Sequence, residues 1–153
     1  MDPFVSSLVA HEGALWVAAA QADAVLRVDP DTEEVVATIP VGQAPTEVVV
    51  GGGAVWTADQ ESRTVTRIDP ATNRMAATIS FDAIVRDVAA GDEDVWVLHH
   101  SSNVISRVDV VTNEVVGAVE LPFFPTDIAV AEDGSVWIVS GVDGTLTRMD
   151  LES

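Results

Sequence analysis

The chain is 153 residues long, sets 25 carboxylates against seven arginines with no lysine, and carries a formal charge of −18. Such a surface repels nucleic-acid phosphates and anionic membranes, so neither is an expected partner. The absence of cysteine excludes disulfides, thiolate metal sites and cysteine nucleophiles, and an apolar content of 48% excludes a disordered polyanion.

The opening segment MDPFVSSLVAHEG has neither a basic start nor a long apolar stretch, so no signal peptide is expected. No apolar run approaches the roughly 20 residues of a membrane-spanning helix. A chain of this kind is expected to be cytoplasmic if complete and extracytoplasmic if it is part of a larger protein.

The first unit offers short apolar runs at residues 7–10, 15–18, 24–28 and 35–39. The second repeats them at 47–50, 55–58, 64–68 and 75–79, and the third at 87–90, 95–99, 104–108 and 115–119. The last has 127–130, 136–139 and 145–149 and then stops short of a fourth run, which Met1-Asp2-Pro3 is too short to supply. Between the runs lie turn residues, such as Gly51-Gly52-Gly53 and Asp69-Pro70-Ala71-Thr72-Asn73. Runs this short, rich in Val, Ile and Thr and broken by Gly, Pro, Asn and Asp, read as strands. No stretch of roughly ten residues keeps a helical period. Each unit is expected to be a four-stranded antiparallel meander.

The units are copies of one another. Trp16, Trp56, Trp96 and Trp137 recur at steps of 40, 40 and 41 residues, as do Arg27, Arg67, Arg107 and Arg148, and then Asp29, Asp69, Asp109 and Asp150. A lone meander cannot cover both of its faces and must stack on its neighbours. Units of roughly 40 residues with one Trp each fit the blade of a β-propeller. Kelch blades are longer and leucine-rich repeats shorter, and no Trp here is followed by Asp as in WD40 repeats. The expected fold is therefore an all-β propeller domain of four blades, near residues 4–43, 44–83, 84–123 and 124–153. It forms a partial ring, half of a larger ring, or a strained ring of four. An open end would expose Val- and Ile-rich faces that invite association. The expected partner there is a second copy that closes the ring, or the remainder of a longer propeller.

The segments AVWTAD and TVTRIDPATNRMAATI, LWVAAA and VLRVDPDTEEVVATIPVG, and the leads PTEVVV and PTDIAV resemble the YVTN-type and streptogramin-lyase-like bacterial propellers over essentially the whole chain. The resemblance implies a propeller fold. It also implies, as one possibility for activity, a lyase in which a His and a Glu act with a magnesium ion near the central channel. On this chain His99 or His100 would be the base, Glu61 the acidic partner, and Asp59 would help to hold the ion.

The recurring residues read as structural. Four tryptophans at one blade position are core. An Arg in every third strand needs carboxylates or carbonyls if covered. Glu47, Asp87 and Asp127 are the expected partners, with Asp69 and its equivalents as alternatives, giving an ion-pair ladder. The Asp-Pro pairs read as turn caps.

Departures from the repeat carry more functional weight. Strand direction places the loops into first strands and the loops after second strands on one face, here called the front face. Position 59 is Asp59 in the second unit but Ala19, His99 and Ser140 in the others, and the third unit alone has His99-His100. Adjacent strand residues point to opposite sides, so the two histidines do not chelate one ion together. Leu121-Pro122-Phe123-Phe124-Pro125 is an aromatic departure that plugs a seam, walls an apolar pocket or forms an oligomer contact. Asp92-Glu93-Asp94 and Asp133 lack the spacing of a calcium loop. The favoured reading is a non-catalytic module, without cofactor or metal, that binds a protein or small molecule on the front face. Its candidate residues are Asp59, Gln60, His99, His100, Phe123 and Phe124.

Overall fold

In the computed structural model, which describes residues 5–149, the runs of the sequence become four antiparallel sheets. Blade 1 is β1 (Val5–His11), β2 (Ala14–Ala19), β3 (Ala24–Val28) and β4 (Val35–Pro40). Blade 2 is β5 (Pro45–Gly51), β6 (Ala54–Asp59), β7 (Thr64–Asp69) and β8 (Arg74–Ser80). Blade 3 is β9 (Val85–Ala90), β10 (Asp94–His99), β11 (Val104–Asp109) and β12 (Val115–Glu120). Blade 4 has three described strands, β13 (Asp127–Val130), β14 (Val136–Ser140) and β15 (Thr145–Met149). Strands are hydrogen-bonded in chain order within each sheet. One 3₁₀ turn, Ala20–Ala22, interrupts the β2–β3 loop, and no described helix is long and apolar enough to cross a membrane. The recurring Asp150 and the tail behind it lie outside the described residues.

The first strands β1, β5, β9 and β13 pack on one another in succession, as the inner strands of a propeller do, and among the described residues the arc is left open. Alternate side chains of each blade enter the seam with the next. Trp16 packs among Val48, Val55 and Ile68 of blade 2. Trp56 packs among Val88, Val95 and Val108 of blade 3, and Trp96 among Ile128 and Val136 of blade 4. Each of these indoles is buried.

Directly across the sheet from each Trp stands the recurring Arg, in the pairs Trp16–Arg27, Trp56–Arg67, Trp96–Arg107 and Trp137–Arg148. The guanidinium carbon lies 4.9, 5.1, 5.7 and 5.9 Å from the four ring centroids in that order, within cation–π range. A bulge opposite Arg27, Arg67 and Arg107 shifts the register of the third and fourth strands in blades 1–3. Bulges bend a strand and re-aim its side chains.

The acceptors differ from the expected carboxylate ladder. Arg27 Nη1 donates across the seam to the Pro70 carbonyl (2.8 Å) and Asn73 Oδ1 (2.7 Å). Arg67 repeats this on the Val110 carbonyl and on Asn113 Oδ1 at 2.7 Å. Arg107 pairs with Asp94 of its own blade at 2.8 Å. The neutral acceptors are presented by the turns that begin at Asp69 and Asp109. Asp69 Oδ1 caps Ala71 N at 2.9 Å and Asn73 closes the turn onto the Asp69 carbonyl. Asn73 and Asn113 then sit in the left-handed region that asparagine tolerates, at φ 57° and 60°. Arg67→Ala is expected to cost roughly 2–3 kcal/mol, since it leaves the part-buried Val110 carbonyl and Asn113 Oδ1 without this donor and uncovers one side of Trp56. Chemical denaturation checks it, and a midpoint unchanged from the native chain contradicts it.

Candidate functional site

The front face forms as the strand directions require. Gln60 N donates to the Ala44 carbonyl (3.1 Å), Glu61 N to that of Gln43 (3.2 Å), and His100 N to that of Ile84 (2.9 Å). Each bond ties a loop after a second strand to the loop leading into the same blade. Blade 1 joins blade 2 there, because Asp23 Oδ1 accepts from Ala44 N at 2.9 Å.

Asp59 ends β6 with its side chain turned inward and is fully buried. Thr57 Oγ1 donates to Oδ1 at 2.8 Å, while Thr64 and Thr66 donate to Oδ2 at 3.0 and 2.6 Å. Burial raises its pKa despite these bonds. Register accounts for the cluster, because Asp59 faces Thr64 and Thr57 faces Thr66 across β6 and β7.

His99 holds the same place in blade 3. Its Nε2 meets Ser106 Oγ at 2.8 Å, and Ser106 is the counterpart of Thr66. The ring is buried, packs against Phe81 with centroids 5.0 Å apart, and has its pKa lowered by burial. His99 Nδ1 is buried without a partner.

The other candidates lie further out. Gln60, Glu61 and His100 are exposed. Phe123 is half-buried against the blade 3–blade 4 core, and its neighbour Phe124 is exposed. Solvent therefore reaches one amide, one carboxylate, one imidazole and one phenyl ring on loops of neighbouring blades.

Among the described residues no three His, Cys, Asp or Glu side chains assemble to hold a metal. Both Asp59 oxygens are occupied by threonine hydroxyls. The residues that the resemblance offers for magnesium thus do not fit that ion.

Glu47, Asp87 and Asp127, expected on the arginines, instead face one another along the inner strands. With Val49, Ala89 and Ala129 they line a cavity of about 320 Å³. Asp87 shares this cavity with Asp127, and its pKa is raised to about 8, first by burial and then by Asp127 and Glu47. Ser7 Oγ donates to Glu47 Oε1 at 3.0 Å, and burial raises the pKa of Glu47 as well. The four positions 7, 47, 87 and 127 are equivalent in the repeat. Their recurrence was the available signal that they share one ring around the axis. On the back face a second cavity, of about 540 Å³, is lined by Asp92, Glu93, Asp94, Arg107, Glu132 and Asp133 among others.

No protein-family profile matches the chain, and neither does any curated protein. Solved structures do match its fold. The chain is similar to Kuenenia stuttgartiensis hydrazine synthase, at 16% identity and TM-score 0.79, over 95% of this chain and 49% of that one. It is similar to the Cps50 (Swd1) β-propeller domain of Myceliophteria thermophila, at 13% identity and TM-score 0.81, over 94% of this chain and 52% of that one. A third similar structure is a catalytically inactive virginiamycin B lyase from Staphylococcus aureus with quinupristin, at 15% identity and TM-score 0.74, over 97% of this chain and 56% of that one. The chain spans about half the length of the solved structures it matches. At these identities the likeness shows the β-propeller fold alone.

Proposed function

We propose that the chain is a non-catalytic propeller scaffold whose front-face loops bind a protein or small-molecule ligand through Gln60, His100 and Phe124. The observation that carries this reading is the engagement of Asp59 and of the recurring arginines. Asp59 accepts from three hydroxyls, His99 meets Ser106 through Nε2, and two of the recurring arginines hold carbonyls and asparagines of the next blade. What remains open on that face are side chains suited to contact, presented on a rigid sheet frame.

The alternative that the resemblance implies, a metal-assisted lyase using His99 or His100 with Glu61, would need its ion held elsewhere than on Asp59. Quinupristin, held by one of the similar structures, is a probe for both readings. Incubated with the native chain and magnesium, it is expected to stay intact. Cleavage that is lost in His100→Ala or His99→Ala would establish the lyase instead. For binding, amide shift perturbation with a small-fragment set is expected to place hits on the loops of Gln60, His100 and Phe124. A Phe124→Ala/His100→Ala chain is expected to lose about tenfold or more in affinity for those hits, with its melting midpoint unmoved. Hits confined to the Asp92–Asp94 side would refute the front-face assignment.

A further inference from the structure

Each internal seam takes the indole of one blade into an apolar face made by the first three strands of the next. In the first two seams the next blade also supplies an acceptor pair to the guanidinium, from the turns that begin at Asp69 and Asp109. In the third, Arg107 pairs with Asp94 of its own blade. Blade 4 presents the indole half of such a seam uncovered and blade 1 presents the apolar half. Trp137 is 37% exposed where Trp16 and Trp56 are 0%. Leu146 is 64% exposed, whereas its counterparts Val25, Val65 and Ile105 are fully buried. On blade 1, Leu8 is 65% exposed, against 2% for both Val48 and Val88 at the equivalent position.

We propose that a second copy of this chain supplies the missing halves, the fourth blade of each copy covering the first blade of the other to close a ring of eight blades. The occupant is specified by charge as well as by shape. Arg148 stands where Arg27 and Arg67 stand, on a Trp ring and 60% exposed. On blade 1 the acceptors in the matching place are the Pro30 carbonyl and residue 33. Inside the chain that residue is Asn73 or Asn113; at the open end it is Glu33, with the same left-handed backbone at φ 60°. The first two internal seams thus use a neutral amide, and the open end offers a second carboxylate to Arg148, which lies 3.9 Å from Asp133 of its own blade. An ion pair that is covered on assembly tolerates salt better than exposed charges do. Two bodies of −18 repel each other, so association is expected to tighten as salt rises to about 0.5 M, where that repulsion is screened. A head-to-tail contact of this kind closes only if its rotation completes a ring, and a ring of eight blades would take two copies of the four described blades. This inference does not depend on which ligand the front face takes.

Sedimentation equilibrium of the native chain at about 0.5 M salt is expected to give twice the 16.1 kDa chain mass. Leu8→Asp is expected to give the single mass with an unchanged circular dichroism spectrum, because the side chain is exposed in one copy alone. Glu33→Arg and Arg148→Glu are each expected to weaken association by about tenfold or more, and the double variant to recover most of it. A native chain that stays monomeric, as it would if further blades of a longer polypeptide cover these faces, overturns the proposal. So does an open series of larger masses. A doubled mass that neither Leu8→Asp nor the charge reversals disturb overturns it too.

Discussion

Trp56→Ala is expected to lower the unfolding free energy by about 3–5 kcal/mol, the range for truncating a large buried aromatic. Such a loss is a large share of the 5–15 kcal/mol that typically holds a domain together. The indole is fully buried, donates Nε1–H to the Gly51 carbonyl at 3.0 Å, and is capped by Arg67 at 5.1 Å. Its removal opens a cavity between Val88 and Val108 of the next blade and the Trp's own sheet. Backbone strands cannot collapse into such a cavity, because each is fixed by its ladder bonds. Trp137→Ala in the dilute monomer is expected to cost under about 1.5 kcal/mol, since one side of that ring meets solvent. Denaturant titration followed by circular dichroism distinguishes the two. Equal costs for Trp56 and Trp137 would refute the account of the seams as the source of stability.

That contrast also marks how far the sequence could be read. The strands came within a few residues of their observed ends because the turns are chemically explicit: Asp69-Pro70, Asn73 and the Gly51–Gly53 run each demand a reversal. The Trp and Arg anchors were legible because a repeat places one environment at one position. Their partners were not. The arginine acceptors depend on a bulge beside Arg27 and Arg67 and on a left-handed Asn one blade away, neither of which strand periodicity encodes. The carboxylates at 47, 87 and 127 were legible as a repeated feature, yet opposite charge made them look like arginine partners. Their nearest relation is to one another around the axis. On the front face, sequence placed the loops correctly but could not tell His99 from His100. A bulge beside β9 and the hydroxyl of Ser106 turn the first inward. The three threonines around Asp59 could have been found, since Thr57 replaces the Val17, Val97 and Ile138 of the other blades.

The axial carboxylates are expected to make stability fall as pH rises, the reverse of the usual salt-bridged acid. The pKa of Asp87 is raised from 3.8 to about 8 by burial, by Asp127 and by Glu47. The folded chain therefore keeps a proton that the unfolded chain releases between those values. Wherever the native state binds more protons, stability falls with rising pH. The full linkage of a four-unit shift is about 5–6 kcal/mol at 1.36 kcal/mol per unit. Asp87 is partly open to solvent, so screening reduces the expected loss between pH 4 and 8 to roughly 2–3 kcal/mol. Glu47 and Asp59, with pKa values also raised by burial, act in the same direction. Asp87→Asn places a permanently neutral group of the same shape beside Asp127. The variant is expected to match the native chain near pH 4 and to exceed it by roughly 2–3 kcal/mol near pH 8. Urea denaturation of both chains at the two pH values, with about 0.5 M salt to screen the general negative charge, measures that difference. A native–variant gap that does not widen with pH would mean that no proton is held at Asp87 on the axis. The inner strands would then carry their carboxylates fully ionised, and the cavity they line would have to be wet enough to solvate them.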